Sequence, residues 1–110
     1  MSYAFTCIPL AYGYVRTDLV APQRLAETVA RLTAAAADHG HELATVFYED
    51  SPQSAALPEA FAELTIECRR SGAHTVFTLP GHLGGMAIPR ICLLDFLAAR
   101  GNAHVWELSS

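Results

Sequence analysis

Positive charge is scarce in this sequence and nowhere concentrated. Seven basic residues stand against eleven acidic ones, for a net charge of −4, and the densest basic stretch is the pair Arg69-Arg70. Tight duplex binding draws on many Lys and Arg contacts to phosphate, so the chain is not expected to bind nucleic acid tightly by itself. Cysteine is sparse too. Cys7, Cys68 and Cys92 lie far apart, form no CxxC pair and follow no zinc spacing. An odd count gives no disulfide framework, and Cys68 and Cys92 fall at apolar helix positions, where a free thiol behaves as a small hydrophobe. That usage points to a reducing cytoplasm. No apolar run approaches the length of a membrane span, and Met1 to Leu10 lacks the basic start of a signal peptide. Repeats, linkers and low-complexity segments are absent as well. The expectation is a soluble, cytoplasmic protein with no membrane partner.

What remains is a sequence rich in core-forming residues. Its 110 residues are 52% hydrophobic and 16% charged, which fits one domain over residues 1–110 and argues against disorder. Tyr3 to Ile8 is apolar, but Pro9 interrupts it and makes it a leader or edge segment. Ala11 to Arg16 reads as the first strand. Pro22 opens a helix to about His39, with Leu25, Val29, Leu32 and Ala36 on one face, Glu27 paired with Arg31, and Gly40 at its C-terminal cap. Leu43 to Tyr48 reads as a second strand ending in the polar turn Glu49-Asp50-Ser51-Pro52. A second helix starts at Pro58, buries Phe61, Leu64 and Cys68, and turns Glu59, Glu63 and Glu67 to water before Gly72. His74 to Leu79 is a third strand, and Pro80-Gly81-His82-Leu83-Gly84-Gly85 is a turn-rich loop. After Pro89 a third helix runs to Arg100 with Gly101 as its cap. Ala103 to Leu108 is the fourth strand. This alternation predicts an α/β fold, a three-layer α-β-α sandwich with a mainly parallel four-stranded sheet in the order 2-1-3-4.

In such a fold the carboxyl ends of the strands gather the candidate site: Arg16, Thr17, Asp18, Glu49, Asp50, Ser51 and His82. One reading makes His82 a base or ligand and the carboxylates a cation site. Another lets Gly81, Gly84 and Gly85 expose backbone amides to an anion, with Arg16 and His82 nearby. The loop spacing matches neither the Rossmann fingerprint nor a P-loop. Pairing of Arg16 with Asp18, Glu49 or Asp50 is favoured over anion binding. His41, His74 and His104 share the opposite sheet edge, where three imidazoles resemble a zinc set, but hydrogen bonding is the commoner role of such residues. No metal or cofactor is assigned. Trp106 is expected against the third helix. That helix is apolar nearly all round, so Ile91, Leu94 and Leu97 are assigned as a dimer surface.

The order of these elements, with Tyr14-Val15-Arg16, Val46-Phe47-Tyr48-Glu49-Asp50 and Leu93 to Gly101, resembles the catalytic domain of serine recombinases (the resolvase/invertase family). The resemblance spans roughly Tyr12 to Leu108 and implies a resolvase-like fold. It makes Arg16 the retained active-site position. It places Asp18 where the family has its nucleophilic serine, and Gly81, His82 and Gly85 within the stretch matching the family's two-arginine motif. The arginine expected before the second helix is replaced in Ser54-Ala55-Ala56-Leu57-Pro58. The family's dimerisation helix and DNA-binding domain belong after the fourth strand, and the sequence ends at Ser110. From these substitutions the sequence predicts a domain that is not an enzyme and acts by protein contact, as a homodimer or with another protein. The alternatives are a small-molecule or anion-binding protein using Arg16 and the Gly81–Gly85 loop, and a surviving DNA strand-transfer enzyme using Thr17 or Ser51.

Overall fold

The four strands form one parallel sheet in the order β2-β1-β3-β4, described by a computed structural model covering residues 8–50, 52 and 56–109. The strands are β1 (Leu10–Arg16), β2 (Glu42–Glu49), β3 (Thr75–Thr78) and β4 (His104–Glu107). Parallel neighbours need crossovers, and three helices supply them: α1 (Leu25–Asp38), α2 (Glu59–Ser71) and α3 (Arg90–Phe96). Cys7, Ser51, Ser54 and Ala55 fall outside the described residues, as does most of the Tyr3–Ile8 leader.

Alternation along β1 divides the interior in two. Tyr12 and Tyr14 face one side with Phe61, Leu64, Cys68, Leu93 and Leu97, under α2 and α3. Ala11 and Val15 face the other with Leu32, Ala36 and Phe77, under α1. The result is the expected three-layer α/β architecture. Gly13 is closely packed on the α1 side, where a Cβ would lie 3.1 Å from Val46 Cγ2 and 3.4 Å from Leu32 Cδ1. Phe61 is fully buried edge-on to Tyr14, a burial that contributes about 2–3 kcal/mol.

Several local expectations are corrected. Pro22 opens a separate 3₁₀ turn, Pro22–Arg24, and the α-helix proper begins at Leu25. Glu27 pairs with Arg24, while Arg31 reaches the carbonyl of Ser109. Glu67 is not simply a solvent-facing member of an acidic row, since it accepts from the Tyr12 hydroxyl at 3.1 Å and pairs with Arg70. The third helix is short and passes into a π turn, Leu97–Gly101, after which Asn102 takes the left-handed position at φ 54°. Gly101 is favoured in that turn by space rather than by capping: a Cβ would meet Leu97 Cδ1 at 3.1 Å and the Thr65 carbonyl at 3.2 Å.

The proposed α3 dimer surface is divided by the same packing. Leu97 is completely buried and Leu94 packs against the core, which leaves Ile91 exposed at 68%. Cys92 is exposed as well. Trp106 lies on the α1 side of the sheet, half exposed, with its ring 4.3 Å from that of His39 and not beneath α3. Among the described helices α1 alone covers that side, and it meets β4 only at its C-terminal end, through His39.

Candidate functional site

Parallel pairing sets Arg16, the last residue of β1, beside Glu49, the last residue of β2. Both side chains are buried, and each is fully engaged within the molecule. The α2 helix begins after Pro58, which has no side chain to cap its free amides. Glu49 takes that role from a distance. Its Oε2 accepts from the Ala60 amide at 3.1 Å, and its Oε1 accepts from the Phe61 amide at 3.1 Å and the Tyr14 hydroxyl at 2.8 Å. Burial, followed by the hydrogen bond to the Glu49 carboxylate, pushes the Tyr14 phenol well above its ordinary range. The sequence places Glu49 only as a rim carboxylate. The readable signal was a helix start with proline where an N-cap side chain is usual.

Arg16 is held on two sides. Nε and Nη2 donate to Asp18 Oδ1 and Oδ2 at 2.8 and 2.7 Å, a bidentate pair. Nη1 donates to the carbonyls of Gly84 at 3.0 Å and His82 at 3.3 Å. The guanidinium therefore staples the Gly81–Gly85 loop to the end of β1. Its hydrogen bond holds the Asp18 carboxyl below the usual carboxylate range.

His82 completes the staple. The Arg16 amide donates to its Nδ1 at 2.9 Å. Nδ1 is thus an acceptor, and the hydrogen of the neutral ring sits on Nε2. In this tautomer Nε2 donates and serves neither as base nor as metal ligand. Burial lowers the His82 pKa and the Arg16 charge lowers it further, against an opposing effect from Asp18.

The glycine loop is similarly engaged. Gly81 and Gly85 have φ of 83° and 73°, conformations that favour glycine. The amides of His82 and Gly84 turn inward, onto the carbonyls of Leu79 and Gly81. Thr17 behaves differently. Its hydroxyl donates to Asp50 Oδ1 at 2.7 Å, at the solvent-facing end of the strands. A space of about 280 Å³ lies beside Glu49 and Asp50, bounded by Leu57 and Pro58. Among the described residues, no three His, Cys, Asp or Glu side chains converge well enough to hold a metal. At the opposite edge, His41 and His74 each bond a backbone carbonyl, of His39 and Asn102.

These features define a doubly wound α/β fold with a polar site at the carboxyl ends of its strands. The chain is similar to the C-terminal catalytic domain of ISC1926 TnpA, an IS607-like serine recombinase, with a TM-score of 0.70 and 12% identity over 92% of this chain and 68% of that one. It is also similar to the first open reading frame product of transposon ISC1904 from Sulfolobus solfataricus P2, with a TM-score of 0.62 and 15% identity over 92% and 67%. No protein-family model matches the chain, and no curated protein matches it. The chain has the resolvase-like fold of serine recombinase catalytic domains. This corrects the expectation that it is not an enzyme. The similar solved structure is a catalytic domain, and the rim of this chain carries a hydroxyl bonded to a carboxylate. Among the described residues no helix is long and apolar enough to cross a membrane.

Proposed function

We propose that this chain works as a self-associating interaction module built on the resolvase-like fold. The observation that carries this reading is the contrast between its charged rim and its α2–α3 face. At the rim, four donor contacts of Arg16 end on Asp18, His82 and Gly84. An incoming anion has to displace Asp18 to reach that cation, which disfavours the anion-binding alternative. The α2–α3 face instead holds a groove of about 550 Å³ between exposed Ile66 and half-buried Phe96. Exposed apolar surface beside a groove is characteristic of interaction sites. Light scattering over a concentration series tests the reading. A mass rising from one chain to two supports it; one chain at every concentration rejects it.

A second reading rests on the Thr17–Asp50 pair. A hydroxyl 2.7 Å from a carboxylate beside an arginine has the parts of an activated nucleophile, which supports strand-transfer chemistry on a phosphodiester. The proximity of Asp18, Glu49 and Asp50 opposes phosphate approach. Nicking or joining of supercoiled plasmid by the wild-type chain, abolished by Thr17→Ala with folding intact, is the expected result of that reading. Activity that survives the substitution removes Thr17 from the chemistry.

A further inference from the structure

We infer that the outer face of α2 is a two-fold interface between two copies of this chain, an inference that rests on the self-association reading. Glu59, Glu63, Ile66, Arg69 and Arg70 are exposed and Ala62 is half-buried. At 3.6 residues per turn they fall on one stripe about 16 Å long. The stripe is acidic at its start, apolar at its centre and basic at its end. Ile66, at 67% exposure, is among the most exposed large apolar side chains described. Beside it the groove continues over Phe96 and Ala99 to Arg100, whose guanidinium lies 5.9 Å from the centre of the Phe96 ring. Three of the chain's seven basic residues therefore border this one groove.

Charge complementarity selects the occupant. A two-fold interface requires that if residue i meets residue j, then j meets i. Two α2 helices packed antiparallel about the Glu63–Ile66 segment satisfy this. Glu59 and Glu63 of each copy approach Arg69, Arg70 and Arg100 of the other, and the two Ile66 side chains fill the centre. Arg70 already pairs with Glu67 in its own chain, so the contact draws mainly on Arg69 and Arg100. Acidic residues at a helix start and basic ones at its end also suit the helix dipole. The dipole gives no reason for an exposed isoleucine between them. Nucleic acid is disfavoured because the acidic half of the stripe repels phosphate.

The test is sedimentation equilibrium of the whole chain, with two charge-reversed variants. One carries Glu59→Arg and Glu63→Arg, and the other carries Arg69→Glu and Arg100→Glu. Each variant alone should dimerise at least ~10-fold more weakly than wild type, and an equimolar mixture should recover a two-chain mass. All four positions are exposed, and recovery in the mixture shows that both variants are folded. Variants that dimerise as well as wild type, or a mixture that stays monomeric, overturn the α2 interface. A dimer broken by Ile91→Asp but not by Ile66→Asp moves the contact to α3 and leaves the self-association reading standing. A wild-type chain that is monomeric throughout overturns both.

Discussion

The two ends of α2 show opposite uses of charge. At its start, Glu49, Arg16, Asp18 and His82 are bonded to one another or to nearby backbone, so the charge there organises the molecule. At its end, Arg69 and Arg100 border an open groove with an apolar floor, where charge faces outward. The rim carries the residue types usually associated with chemistry, yet most of their hydrogen-bonding capacity is used internally.

Breaking the rim gives the largest expected effect. Glu49→Ala orphans two helix amides and the Tyr14 hydroxyl and should cost about 3 kcal/mol, a fall of roughly 10–20 °C in melting temperature for a chain of this length. Thermal unfolding followed by circular dichroism measures it, and a shift under a few degrees denies Glu49 its capping role. Gly101→Ala probes the other end by forcing a methyl against Leu97 and the Thr65 carbonyl, with an expected loss of about 2 kcal/mol. Little change there means the π turn gives way easily and is not packed tightly beneath the groove.

Asp18→Asn sharpens the comparison instead of breaking it. It removes the charge opposite a buried guanidinium, for an expected loss of about 1–2 kcal/mol in a half-exposed pair. It should also make the rim responsive to anions, so that inorganic phosphate raises the melting temperature of the variant and not of the wild type. Phosphate acting equally on both indicates that Asp18 does not block Arg16.

The smallest effect concerns pH. The folded His82 pKa lies below its unfolded value of 6.5, so its contribution is complete above pH 6.5 and declines as pH falls through the folded value. Protonating Nδ1 also removes the acceptor of the Arg16 amide. Asp18, depressed from 3.8, adds a further loss only in stronger acid. His82→Asn places an amide oxygen near the Nδ1 position without a titrating group. Denaturant midpoints between pH 5 and 7 should decline for wild type and stay flat for the variant. Equal slopes place the pH dependence on another group.

Element order was legible because it rests on local patterns. Leu32 and Ala36 recur at helical spacing, β1 alternates about Tyr12 and Tyr14, and proline and glycine punctuate the segments. Strand order followed from that alternation together with the resolvase-like resemblance. The rim's membership was legible too, since parallel strands bring their carboxyl ends together. Its wiring was not. Whether Arg16 meets Asp18 or Glu49 depends on which donors the α2 start leaves uncapped, 33 residues away in the case of Arg16 and Glu49.

The same division explains the errors on α3 and β4. The sequence by itself determined that Leu94, Leu97 and Trp106 are apolar and sit at particular steps of a helix or strand. Periodicity states which residues share a face, but it carries no information on how many neighbours that face has. Only the tertiary structure decided that α2 and α3 both cover one side of the sheet, burying Leu97, while among the described helices α1 alone covers the other and leaves Trp106 half exposed. Burial is a property of the assembled layers, and the layers form from contacts distant along the chain.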